Sequence, residues 1–183
     1  MDATVFDEVR AGFSTVGVSP YRNHDERKVL TLTDLQETLA RLKGIGRRIV
    51  FTNGFFDILH QGHVTYLEEA RRQGDALVVG LNSNASVRAI KGPQRPINDE
   101  AGRARVLAAL GCVDYVTIFE EETPLTLITA IMPDILAKGA DWPLEKIVGA
   151  AEVMAHGGRV ITIPTVADFS TTHLIDAIRG AIS

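Results

Sequence analysis

Cysteine is nearly absent: the chain of 183 residues has one, Cys112. A single thiol closes no internal disulfide, which excludes the disulfide-stapled class and makes a reducing, cytoplasmic setting the expectation. Basic charge is also not in excess. Lys+Arg 19 against Asp+Glu 23 leaves a net charge of −4, so the surface is not one that coats nucleic acid, and any phosphate site must be local. No apolar run approaches the roughly 18 residues of a membrane span. The first ten residues lack the basic start and apolar middle of a secretory signal. With nucleic acid and membrane set aside as partners, the 45% hydrophobic and 23% charged content is that of an ordinary globular chain, with room for one core.

Residues 1–27 are weakly patterned, with Gly12, Gly17, Pro20 and a polar cluster at 22–28. They read as an N-terminal extension with a short helix at 5–13, ahead of a domain over 28–183. Thr33 offers a helix N-cap with Gln36 as capping-box partner; Leu35, Leu39 and Leu42 form the apolar stripe and Gly44 the stop. Short apolar runs at 48–52, 76–81, 115–118, 135–137 and 160–163 then alternate with helical patterns at 62–73, 98–110, 124–131 and 144–156, and a last helix from near 171. Parallel strands need crossover connections, so this alternation predicts an α/β fold: one Rossmann-like domain, a five-stranded parallel sheet with helices on both faces. Ligands of such sheets sit beyond the carboxyl ends of the strands. The residues following each strand are therefore the ones to inspect.

After the first strand comes Asn53-Gly54-Phe55-Phe56-Asp57-Ile58-Leu59-His60-Gln61-Gly62-His63. A helix starting there offers free N–H groups and a positive dipole end, a seat for phosphate. Gly54 and Gly62 let the backbone approach closely, and each imidazole can donate to a phosphate oxygen as charge builds. Two plainer readings compete. His-x-x-His spacing suits half a metal site, but only Asp57 stands nearby as a further ligand. Structural histidines with satisfied bonds are the other, and the glycine-rich strand-to-helix context weighs against them. His24 and His156 have no partner pattern and read as structural, and Cys112 as a small buried apolar residue.

Phe56-Asp57-x-x-His60-x-Gly62-His63 after an opening strand resembles the signature of the HxGH nucleotidyltransferases, which join a nucleotide to a phosphorylated acceptor and release pyrophosphate. Further segments occur in order: Val79-Gly80-Leu81-Asn82-Ser83, Lys91-Gly92-Pro93-Gln94-Arg95-Pro96-Ile97-Asn98, Arg103 with 106–110, Val113-Asp114-Tyr115-Val116, Pro133-Asp134, Lys138-Gly139-Ala140-Asp141 and Ser170-Thr171-Thr172. Together they resemble the D-glycero-D-manno-heptose 1-phosphate adenylyltransferases, over about residues 28–180. That resemblance implies AMP transfer from ATP to a sugar 1-phosphate, with Mg²⁺ accompanying the triphosphate. A homodimer or higher homo-oligomer is left open.

By the same resemblance, His60 and His63 hold the α- and β-phosphates, while Lys91, in a loop, and Arg103 neutralise the departing pyrophosphate. Thr52, Asn53, Gly54, Phe55, Phe56, Asp57, Gly62, Lys138, Gly139, Asp141, Ser170, Thr171 and Thr172 face the nucleotide, and Asn82, Arg95 and Trp142 the acceptor. Asp57 is the metal-aiding carboxylate. Plainer roles stand beside these: surface charges for Lys91 and Arg95, an ion pair with Asp99 or Glu100 for Arg103, packing for Trp142, capping for the 170–172 hydroxyls. Two residues depart from the heptose enzymes, Phe55 where cysteine is usual and Asn84 where aspartate is common, and both bear on the acceptor. A cytidylyltransferase acting on glycerol phosphate is the nearest rival. A dinucleotide oxidoreductase fails because Gly44-Ile45-Gly46 precedes the strand and Ile49 replaces the third glycine. A catalytically dead binding module is opposed by the intact His60, His63, Lys91 and Arg103.

Overall fold

The computed structural model describes residues 27–140, 143–164 and 175. The 5–13 helix, most of the 1–27 extension and nearly all of the last helix lie outside these residues. Five strands form one sheet: β1 (Ile49–Gly54), β2 (Ala76–Asn82), β3 (Tyr115–Phe119), β4 (Ile135–Gly139) and β5 (Arg159–Ile163). Their order is β3-β2-β1-β4-β5 and every neighbouring pair is parallel. The chain moves outward from β1 to β3, then returns to place β4 on the other side of β1. That reversal opens a crevice at the carboxyl ends of β1 and β4.

Strand residues alternate between two cores. Val50, Leu77, Val79, Val116, Ile135 and Ala137 face α2 (Gln61–Arg72) and α4 (Glu100–Ala109), which contribute Leu67, Ala70, Ala104 and Leu107. Ile49, Phe51, Ala76, Val78 and Leu136 face α1 (Leu32–Gly44), α5 (Leu125–Ile131) and α6 (Ala150–Ala155), through Leu35, Leu39, Ile128 and Val153. Both faces are covered, as the near-continuous apolar strands require.

Three expected boundaries move. The N-cap of α1 is Thr31, whose Oγ1 accepts from the Asp34 amide and donates to its carboxylate; Thr33 lies inside the helix. The 144–156 stretch is a 3₁₀ turn (Leu144–Lys146) and then α6, parted at Gly149. That glycine has φ 85, and a Cβ there would meet Ile128 Cδ1 at 2.7 Å, so a side chain is barred twice over. Residues 84–91, for which the sequence pattern offers no element and whose last member, Lys91, is expected in a loop, form α3 (Asn84–Lys91), capped by Ser83, whose hydroxyl accepts from Ser86 N.

The edge remote from the crevice is fastened by aspartates. Asp134 accepts from Ile49 N, the first amide of β1, at 2.7 Å, and Asp114 from Leu77 N, the second amide of β2, at 2.7 Å. Two family-like segments, Pro133-Asp134 and Val113-Asp114, are thus structural.

Candidate active site

A cavity of about 610 Å³ opens at the crevice, its floor formed by Asn53 and Gly54 of β1 and Lys138 and Gly139 of β4. His60, Gly62 and His63 enter from the start of α2, and Lys91 from the end of α3. His60 is the N-cap of α2, and its side chain makes no capping bond; His63 N donates to His60 O at 3.0 Å, so the amides ahead of it, Gln61 and Gly62, are the ones a ligand could take.

The histidine rings stack, centroids 3.8 Å apart and planes at 28°. The Phe56 ring lies 5.3 Å from that of His63, tilted by 57°. Phe56 itself adopts φ 43, a left-handed conformation costly for a bulky residue and held only where the surroundings over-determine it. Gly54 makes room for that turn, since a Cβ there would meet Phe56 Cε2 at 3.0 Å. Burial, joined by repulsion from His60, lowers the His63 pKa to about 4, and burial lowers that of His60. Both rings are therefore neutral near pH 7, each with one N–H to donate. The buried Nδ1 of His63 has no hydrogen-bond partner among the described residues.

Lys138 is the cation of the floor. Its Nζ donates to Asn53 Oδ1, and no carboxylate lies within ion-pair distance of it among the described residues. Burial lowers its pKa to about 8. A buried cation without a counter-charge is costly, and a phosphate brought beside it removes that cost. On the other flank, Lys91 Nζ lies 5.6 Å from the Phe55 ring centroid, within cation–π range. Phe55, the departure from cysteine, thus forms wall and perch at once.

Four expected ligand residues stand elsewhere. Arg103 is neither a surface ion pair nor a group presented to the cavity. It is 2% exposed, and its guanidinium donates to Phe55 O (2.7 Å), Asn82 O (2.8 Å), Asn98 O (3.1 Å) and Asn84 Oδ1 (3.0 Å). Asn84, the second departure, is thereby engaged by Arg103. Asp57 is 3% exposed and accepts from Arg95 Nε at 2.6 Å and from the amides of Ile97 (2.8 Å) and Asn98 (2.9 Å). Burial alone would raise its pKa, but the bonds from Asn98, Ile97 and Arg95 outweigh it and hold the carboxyl below its ordinary value. With its oxygens so occupied, Asp57 does not fit a Mg²⁺ ligand, and Arg95 is bound to it. Thr52 is fully buried, its hydroxyl 2.7 Å from that of Tyr66.

Asn53, Gly54, Phe55, Phe56, Gly62, Asn82, Lys138 and Gly139 do line the cavity. Asp141, Trp142, Ser170, Thr171 and Thr172 lie outside the described residues. Tyr66, Ile90, Glu122, Thr123, Pro124, Lys146, Ile147 and Val148 also line it, with no expectation attached to them. Tyr66 was legible in principle, three residues beyond His63 on the same helical face. The loop residues carry no local signal. No cluster of three or more His, Cys, Asp or Glu suited to a metal exists among the described residues, and none of their helices is long and apolar enough to cross a membrane.

A doubly covered parallel sheet with glycines and neutral imidazoles at a helix start, at its switch point, defines a nucleotide-binding α/β domain. The cytidylyltransferase-like family model matches residues 51–177, and the chain belongs to that family. It is 51% identical over 161 residues to the bifunctional protein HldE of Trichlorobacter lovleyi, covering 88% of this chain and 33% of that protein. The HldE of Geobacter metallireducens is 49% identical over 167 residues, 91% of this chain and 34% of that one. The chain thus spans about one third of the length of these curated relatives. The crystal structure of the lipopolysaccharide core biosynthesis protein from Thermoplasma volcanium GSS1 is similar with TM-score 0.56 and 30% identity, covering 66% of this chain and 98% of that one. A pantoate–β-alanine ligase from Francisella tularensis, at TM-score 0.55 and 14% identity over 82% of this chain and 76% of its own, shares the fold alone.

Proposed function

We propose that the chain transfers AMP from ATP to a heptose 1-phosphate, giving ADP-heptose and pyrophosphate for lipopolysaccharide or other surface-glycan precursors. The observation that carries this reading is the stacked, neutral His60–His63 pair at the start of α2, facing a cavity whose floor holds Lys138, a buried cation with no carboxylate partner among the described residues. The choice of a sugar phosphate is supported by the ordered heptose-enzyme motifs and by the lipopolysaccharide core biosynthesis relative.

A phosphate monoester is already anionic at pH 7, so attack on the α-phosphorus needs no strong base. Positioning and charge stabilisation then account for the chemistry. His60 and His63 donate their N–H groups to α- and β-phosphate oxygens. The amides of Gln61 and Gly62, ahead of the His63 amide that is bonded to His60 O, serve the same anions. Lys138 and Lys91 approach from β4 and from α3, on opposite flanks of the histidines, and neutralise charge that builds along the reacting chain. Mg²⁺ brought by ATP would be held through the phosphates and water, since no cluster of His, Cys, Asp or Glu suited to a metal exists among the described residues. No catalytic step is assigned to it.

The test is pyrophosphate release from the full chain with D-glycero-D-manno-heptose 1-phosphate and either ATP or CTP. Turnover with ATP and a faint signal with CTP supports the reading. Turnover confined to CTP and glycerol 3-phosphate replaces it with the rival cytidylyltransferase.

A further inference from the structure

The polar groups beside the cavity that do not line it form a connected set. Arg103 joins three chain segments that each carry a cavity residue: Phe55 O after β1, Asn82 O at the end of β2, and Asn98 O after the segment that follows Lys91. Asp57 ties the same last segment back to the first, through Arg95 Nε and the amides of Ile97 and Asn98, and Asn98 Nδ2 returns a bond to Asp57 O at 2.6 Å. Between the two tied points, Phe55 and Asp57, lies Phe56 with its φ of 43. A left-handed phenylalanine reverts to ordinary backbone unless both sides are fixed. Its ring is the one packed against His63.

We infer that Asp57, Asn98 and Arg103 are positioning residues: they clamp the left-handed Phe56 turn, whose ring sets the His63 imidazole, and they touch neither nucleotide nor metal. Phosphate affinity then belongs to groups facing the cavity, while the clamp governs how well the rings are aimed. An error of about 1 Å in aim costs roughly a hundredfold in rate. The kinetic part of this inference rests on the proposed nucleotidyl transfer; the geometric part does not.

The experiment compares the full-length wild-type chain with Arg103→Lys, Asp57→Asn and Asn98→Ala. Lysine keeps the charge of Arg103 but cannot reach four acceptors. Imidazole NMR resonances of His60 and His63 are recorded for each, with amide exchange at Ile97 and Asn98. Steady-state kinetics follow with ATP and heptose 1-phosphate across a Mg²⁺ series. The clamp is supported by moved His63 ring resonances in all three variants and faster Ile97 and Asn98 exchange in Asp57→Asn. It also requires a kcat lower by about tenfold or more with KM for ATP within about threefold, and a Mg²⁺ midpoint unchanged in Asp57→Asn. Near-wild-type kcat in Arg103→Lys would mark a simple phosphate-facing charge and overturn the inference, as would a Mg²⁺ midpoint shifted about tenfold in Asp57→Asn. Unmoved His63 resonances would also overturn it. Asn98→Ala removes one side-chain bond and leaves the backbone bonds, so it keeps the test open should the other two fail to fold. If the wild type releases no pyrophosphate, the proposed function fails, and the resonance and exchange arms still decide the clamp.

Discussion

Two buried polar regions lie side by side at the carboxyl end of the sheet, and they are built on opposite terms. In the clamp, Asp57 and Arg103 are almost fully enclosed, and their oxygens and nitrogens have partners at 2.6–3.1 Å. On the cavity floor, among the described residues, Lys138 has one amide oxygen and no counter-ion, and His63 Nδ1 has no hydrogen bond. Burying a charge is costly in both places, but only the first recovers that cost within the protein. A satisfied network holds a shape; polar groups without a full set of protein partners are ones an anion can bond. Residue type alone does not separate them, since Arg103 and Lys138 are both cations near one site.

That contrast can be broken by substitution. His63→Ala should lower turnover by about 10²–10³-fold, the range for losing a donor to developing charge, measured as pyrophosphate release at saturating substrates; a change of only a few fold would put the ring outside the chemistry. Asp57→Ala should destabilise by about 3 kcal/mol in urea unfolding, because it leaves Arg95 and two amides unmatched. Lys138→Met should act oppositely. It removes a buried cation that has no counter-ion among the described residues, so stability should hold or rise, while ATP affinity by calorimetry should fall by about tenfold, the worth of one charge-assisted hydrogen bond. Equal destabilisation by the two substitutions would erase the distinction.

The smallest effect is in pH. Lys138 sits near 8 in the folded chain against 10.5 when free. The unfolded chain therefore binds more protons between those values. The cost of this side chain to stability is present in full below pH 8 and fades as pH rises toward 10.5. The stability gap between wild type and Lys138→Met should narrow across that window. KM for ATP in the wild type should rise above pH 8 as the ammonium loses its proton, and the substitution should abolish that rise. For His63, near 4 folded against 6.5, stability should fall as pH drops through that interval.

Much of this arrangement was legible in the residues. The strands showed because their apolar runs are covered on both faces, and the His60–His63 turn showed because glycines and imidazoles follow the first strand at the edge where ligands bind. What stayed hidden was hidden for physical reasons. The eight-residue α3 was masked by Gly92, Pro93 and Pro96 just beyond it, which pull a reading toward loop. Thr31 and Thr33 are both plausible caps, and only the bond to Asp34 separates them. The partners of Arg103 are chiefly backbone carbonyls, which leave no trace in side-chain identity, and those of Asp57 are two amides and an arginine 38 residues away. The position of Arg103 on an Ala- and Leu-rich helix that packs on the sheet was a hint of burial. The rest of the cavity wall, Glu122 to Pro124 and Lys146 to Val148, comes from two connecting segments that converge only in three dimensions.

Two neutral imidazoles at the start of α2 are the proposed grip on a polyphosphate, and a crystal structure of the chain with a non-hydrolysable ATP analogue decides whether they are. The expected result places α- and β-phosphate oxygens within hydrogen-bond distance of the His60 and His63 rings, over the first amides of α2. A nucleotide bound in the cavity with its phosphates turned away from both rings would contradict the account.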